Sequence, residues 1–236
     1  MTDYNRNDFS GPGSGYLVTT WDVEANAWNF RPVLGEAPLV NDELAALGLP
    51  VREDNPELHN VIAYAQQDTR WKADRMGGVA QTVGGYGCAM VCACMVYTQI
   101  DNALTPRDFN AALSANGGYN LIYGNEAHLA WDRLSQIYPR FKWDGRKDWS
   151  RLLDDNELNN IFAMIDEAPL VLWVDFKPFV GGMQSHFVLA VGHTTDDIDI
   201  VDPWEGVRAR LMERYGRAGN DTLRRAIWGY RRIVVR

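Results

Sequence analysis

The pattern of apolar and polar positions changes period partway along the chain. "CAMVCACMVYTQI" is apolar on every face and lacks turn residues, which predicts a buried helix from Cys88 to about Ile100. "TPRDFNAALSANGGY" predicts a second helix, with Thr105 as cap, Pro106 in the first turn and Gly117-Gly118 behind the last. "NEAHLAWDRLSQIY" and "DNELNNIFAMIDEA" predict two more, both amphipathic. After Pro169 the pattern turns to strands: "LVLWVDF", "SHFVLAVGH", "DIDIVDPW" and "WGYRRIVV" are alternating or continuous β-rich runs separated by turn residues. Helices first and an antiparallel sheet afterwards indicate an α+β fold.

The first 55 or so residues have a different texture. "YLVTTWDVEANAWNFRPV" predicts two strands around a polar turn near Glu24 to Asn26. "NDELAALGLP" predicts a short helix, capped by Asn41 or Asp42 and stopped by Gly48-Leu49-Pro50, and "VREDNPE" a linker. This is too little material for an independent core, and a lone hairpin is marginal in water. The expectation is an extension over residues 1–55 that packs on a main domain over 56–236, with Trp21 or Trp28 in the contact. "NPELHNVIAYAQQDTRW" opens that domain with a short helix or strand ending near Gln66.

Composition narrows the function classes. The formal charge is −8, and no basic run or basic-aromatic stripe offsets it, so nucleic acid is not an expected partner. No stretch approaches the roughly 18 apolar residues of a membrane helix, so no membrane insertion is expected. "MTDYNRNDFSGPGSGY" is polar and has no signal-peptide core. Synthesis in the cytoplasm is expected, and action elsewhere would require release or export by a non-classical route. No oligomeric state is implied.

All three cysteines fall within "GGYGCAMVCAC". Cys88 and Cys92 are one helical turn apart, which makes them neighbours without disulfide geometry, so reduced thiols are expected. Three readings compete for Cys88: a metal ligand, a small apolar residue opening a buried helix, or a nucleophile at a loop-to-helix join. Metal sites draw on spaced ligand pairs, and no histidine lies near in sequence. A helix N-terminus favours a thiolate, and the glycines before Cys88 permit a tight turn and close substrate approach. Cys92 and Cys94 lie within the helix and are expected to be inert.

A thiolate nucleophile needs a base and an orienting partner. His186 enters a β-rich run behind "GGMQS", and Asp202 lies near the far end of the return strand "IDIVDP", where it could fix the imidazole tautomer. His193 is the rival base, expected to be solvated at the turn. His59 and His128 fall in linker or helical contexts. Asp196, Asp197, Asp199 and Asp202 lack the glycine and terminal glutamate of an EF-hand loop, and read as a solvated hairpin.

"QQDTRW", "GGYGCAMVCACMVY", "TPRDFNAAL", "SHFVLAVGH" and "IVDPWEG" together resemble papain-like cysteine peptidases, most closely the branch related to bacteriocin-processing peptidases, family thirty-nine of the cysteine peptidases. The resemblance covers about residues 60 to 205. It implies a papain-like fold and a thiol hydrolase of amide bonds, in which Cys88 attacks, His186 acts as base and then acid, and Asp202 orients it. It also implies an oxyanion donor at Gln66, with Gln67 as the alternative. No metal or organic cofactor is implied, and the substrate is a peptide or peptidoglycan-like amide. The apolar "AMVCAC" after the cysteine departs from the family's small or polar residues. Two other readings are a binding or structural module that keeps the fold, and a lytic or virion-associated enzyme whose Trp21 and Trp28 stack on cell-wall sugars.

Overall fold

The computed structural model describes residues 15–22, 27–34, 59–178, 182–216 and 222–236, the first two segments by their backbone. The chain forms two compact units, Met1–Glu53 and Asp54–Arg236. In the first, β1 (Gly15–Asp22) and β2 (Ala27–Leu34) pair antiparallel with Trp21 opposite Trp28. The turn near Glu24 to Asn26, the helix expected over 41–50, the linker and the side chains of Trp21 and Trp28 lie outside the described residues, and with them the contact expected of the extension.

The second unit is mixed α+β, with a helical N-terminal part and a six-stranded antiparallel sheet. A short helix, α1 (Val83–Tyr86), leads through Gly87 into α2 (Cys88–Tyr97), and α3 (Pro106–Ala115) follows. Seven consecutive α2 residues, Met90 to Val96, are fully buried, which is why this helix is apolar on every side. Thr105 caps α3, its side chain accepting from the Asp108 N–H, with Pro106 at the first position as the sequence predicts.

The stretch expected as one amphipathic helix from Asn125 folds differently. A hairpin of β3 (Tyr119–Ile122) and β4 (Glu126–Leu129) precedes a single 3-10 turn at Trp131–Arg133 and the one-turn helix α4 (Leu134–Ile137). Ala127 and Leu129 point inward while His128 points out, a period of two read as part of a helical stripe. The segment from His59 to Gln66, expected as helix or strand, is neither. It lies extended across α2, held by Ile62 N–H to Thr98 Oγ1 at 2.9 Å and Tyr64 N–H to Met95 Sδ at 3.4 Å.

Next come β5 (Phe141–Asp148), α5 (Asp155–Glu167), β6 (Leu170–Asp175), β7 (Ser185–His193), β8 (Ile198–Asp202), β9 (Val207–Arg210), the short helices α6 (Leu211–Tyr215) and α7 (Leu223–Ala226), and β10 (Ile227–Val235). The sheet order is β5-β10-β6-β7-β8-β9. Because β5 precedes α5, helices and strands are not fully segregated along the chain. Its sequence, "FKWDGRKD", is that of a charged edge strand, so no hydrophobic alternation marks it. An Asp154–Glu157 capping box opens α5.

Alternation along the central strands covers both faces of the sheet. Val171, Leu189, Val191, Val201 and Ile233 join the core of α2 and α3, while Leu172, Val174, Val188, Ala190, Ile198 and Ile200 join that of α5, α6 and α7. Among the described residues no helix is long and apolar enough to cross a membrane.

Candidate active site

Cys88 is the first residue of α2, where backbone N–H groups lack intrahelical partners. Gly87 is required by close approach: a Cβ there would lie 2.4 Å from the Val83 carbonyl oxygen. Cys88 borders the same cavity as His186, and its thiol interacts with His186 and with the backbone N–H groups of Phe187 and Ala89. Burial pushes the thiol up, but the His186 hydrogen bond and charge, with these two N–H donors, outweigh it and hold Cys88 below the ordinary thiol value.

His186 is buried at the start of β7, with Nε2 3.0 Å from Asp202 Oδ1. Nε2 therefore donates to the carboxylate, and Nδ1 is left for the thiol. Burial disfavours the imidazolium, but the hydrogen bonds to Asp202 and Cys88 prevail, and the pKa is raised to about 9. Phe176 and Tyr215 flank the ring, at centroid distances of 4.8 and 6.0 Å.

Asp202 ends β8 with no exposed surface. Besides His186, it accepts from Trp204 N–H at 2.9 Å and Tyr215 Oη–H at 2.6 Å, and forms an ion pair with Arg214, whose Nε lies 2.8 Å away. Burial opposes its ionisation, but His186, the Tyr215 hydroxyl and the Trp204 N–H keep it below the usual carboxylate range. Tyr215 and Arg214 escaped the sequence reading because "LMERYGR" carries no motif; only the three-dimensional return of α6 beneath β8 brings them here.

Gln66 is buried, and its Nε2 donates to the Gly84 carbonyl at 2.9 Å; among the described residues its second N–H and its Oε1 have no hydrogen-bond partner. Gln67 Nε2 donates to the same carbonyl. Only Gln66 shares the cavity with Cys88 and His186. The Gln66 backbone N–H bonds the Pro203 carbonyl at 2.5 Å, and Gly206, at φ +71°, lies where a Cβ would be 2.7 Å from the Ala65 nitrogen. The "DPWEG" turn after Asp202 is thus packed directly against the glutamine segment.

Gln66, Cys88 and His186 border a cavity of about 740 Å³, whose wall includes Tyr86, Ser185, Phe187 and Trp204, with Asn120, Ile122, Glu126 and His128 from the β3–β4 hairpin. Cys92 is fully buried and its Sγ donates to the Phe187 carbonyl at 3.6 Å; burial first, then Cys88 and Asp202, push it well above the ordinary thiol value. Burial does the same to Cys94. All three thiols are free.

The remaining candidates sit elsewhere. His193 is not solvated: it is 1% exposed, with Nε2 3.0 Å from Asp166 and its ring 4.5 Å from Phe162, both on α5. His59 bonds the Ile165 carbonyl, and His128 is an exposed strand residue paired with Glu126. The hairpin carboxylates are not simply solvated either. Asp197 accepts from the N–H groups of Ile198 and Met212, at 2.8 and 3.0 Å, and Asp199 pairs with Arg210 at 3.1 Å. Among the described residues no cluster of three or more His, Cys, Asp or Glu could hold a metal ion.

No protein-family model, curated protein or solved structure matches the chain.

Proposed function

We propose that the chain is a papain-like thiol hydrolase that cleaves an amide bond: a peptide, an isopeptide or a peptidoglycan cross-link. The observation that carries the reading is the series from Cys88 at a helix N-terminus, through His186, to the buried Asp202, which is held by three hydrogen bonds and the Arg214 ion pair. Such a series stores a thiolate and an imidazolium side by side.

In this reading the Cys88 thiolate attacks the carbonyl carbon, and its electron pair forms the C–S bond while the carbonyl π pair moves to oxygen. The free N–H of Gln66 Nε2 and the Cys88 backbone N–H stabilise that oxyanion. His186 gives its proton to the leaving nitrogen as the C–N bond breaks, which leaves a thioester. A water then loses a proton to His186, attacks the thioester and releases the acid, returning the proton to the dyad. Asp202 holds the ring and stabilises its charged form throughout. The test is acylation by an activated ester such as p-nitrophenyl acetate, followed as a burst of nitrophenol with the acylated residue mapped by mass spectrometry. Acylation at Cys88 that His186→Ala abolishes is expected; an unreactive Cys88 in the folded protein sinks the reading.

A further inference from the structure

The cavity wall carries two arginines that this chemistry does not use, Arg146 on β5 and Arg231 on β10. They are direct cross-strand partners. Like charges so opposed destabilise a sheet. Their presence together is the more notable in a chain of net charge −8.

Arg231 is only 7% exposed, and a buried guanidinium is costly unless its charge is paired. Its described hydrogen bonds use Nη1 alone, to the Asp148 carboxylate and, at 2.8 Å, to the Tyr230 carbonyl. Asp148 also faces Arg146, whose Nε lies 4.0 Å from Oδ2. Two guanidiniums therefore divide one carboxylate at this end of the cavity, so neither has a carboxylate to itself. Asp148 lies behind the wall, and the acidic residue on the wall itself, Glu126, is on the β3–β4 hairpin with its carboxylate 3.1 Å from His128.

The backbone is shaped around this pair. The β10–β5 register shifts between Arg231 and Ile233, a device that re-aims side chains. Gly229, opposite Asp148, leaves room for the carboxylate, since a Cβ there would lie 2.7 Å from Oδ1. Phe187 and Trp173 support the Arg231 guanidinium, with Cζ 5.5 and 5.9 Å from their ring centroids. Phe187 also follows His186 directly on β7 and borders the same cavity as Cys88. A single phenylalanine thus lies beside both the candidate base and the paired arginines.

We propose that Arg231 and Arg146 form an anion subsite selecting a carboxylate close to the bond that Cys88 attacks, on an acidic side chain or at a free chain end. Its role in choosing that bond rests on the thiol-hydrolase reading; carboxylate binding does not.

The test has two arms on the full chain. In the first, matched peptidyl chloromethyl ketones bearing Glu or Gln compete to alkylate Cys88. In the second, the Cys88→Ala protein is titrated with acetyl-Ala-Glu-Ala-amide, its Gln counterpart, and acetyl-Ala-Ala with a free or amidated C-terminus. A charged hydrogen bond predicts a preference for carboxylate over amide of about tenfold or more, weakened by salt. Arg231→Gln should abolish it. Arg146→Gln should reduce it, and Arg146, 64% exposed in its side chain, can be replaced without loss of the fold. Preference for the Glu peptide assigns a side-chain carboxylate, and preference for the free terminus a chain end. Equal binding of charged and neutral peptides, or none of either, together with equal alkylation rates, overturns the subsite even if Cys88 reacts. Carboxylate preference in the Cys88→Ala protein with no alkylation at Cys88 supports the subsite and sinks the hydrolase reading instead.

Discussion

Gln66 and Gln67 both direct their amide nitrogens at the Gly84 carbonyl, yet only Gln66 borders the cavity that Cys88 faces. Two reagents separate their roles. Acylation by an ester passes through an oxyanion, whereas alkylation by iodoacetamide does not. Gln66→Ala should slow nitrophenyl ester acylation roughly 10²–10³-fold and leave alkylation nearly unchanged, as expected on losing one oxyanion donor. Gln67→Ala should leave both rates near wild type. Loss of both rates in Gln66→Ala would assign that side chain to structure alone. Behind the histidine, Asp202→Asn preserves shape but removes the charge that favours the imidazolium. The alkylation profile of Cys88 should therefore move to higher pH, because a neutral histidine no longer stabilises the thiolate. An unshifted profile would mean that Asp202 serves the fold rather than the dyad. Asp202→Ala should be more damaging, since it strips Arg214 and Tyr215 of a buried partner, a loss on the order of 3–5 kcal/mol for a broken buried pair.

The elements that present these residues differ in how far the sequence reveals them. The α2 helix was legible because full burial writes an unbroken apolar run, and β6, β7 and β8 because they lie at the centre of the sheet. The hairpin β3–β4 was hidden by its brevity, and β5 by its place at the edge, where charge replaces alternation. The site divides the same way. Cys88, His186 and Asp202 sit at ends of elements that have a pattern, and the structure places Cys88 and His186 on one cavity with Asp202 behind the histidine. Tyr215, Arg214, Arg146 and Arg231 come from segments whose partners are fixed only by tertiary packing. The turn-end position of His193 in the sequence carries no sign of α5, which covers it and excludes the expected solvent. At the entry to α2, Gly87→Ala tests the geometry directly. The added methyl meets the Val83 carbonyl, so a destabilisation of about 1–3 kcal/mol and a displaced, less reactive Cys88 are expected from denaturant melts and alkylation rates. Wild-type stability with wild-type reactivity would show that the loop does not constrain the thiol.

For the molecule as a whole, the two shifted groups define a pH window. Cys88 is held below the ordinary thiol value and His186 is raised to about 9, so the thiolate–imidazolium pair exists between them. The His186 contribution to stability is fully present below its unfolded value near 6.5 and is lost as pH rises through about 9. The depressed Cys88 contributes with the opposite sign over the same range, so the His186 slope is read in Cys88→Ala. Melting temperature there should fall as pH rises above about 6.5, and the fall should be smaller in the Cys88→Ala/His186→Ala protein. The same slope in both proteins would assign the loss to other groups. The most direct measurement of the central claim is the pH dependence of iodoacetamide alkylation in the native protein, with each cysteine quantified by mass spectrometry. The account predicts that Cys88 alone reacts, that its reaction persists below pH 7, and that His186→Ala moves it to the range of an ordinary thiol. Reaction confined to the denatured protein, or a Cys88 profile that His186→Ala leaves in place, would contradict it.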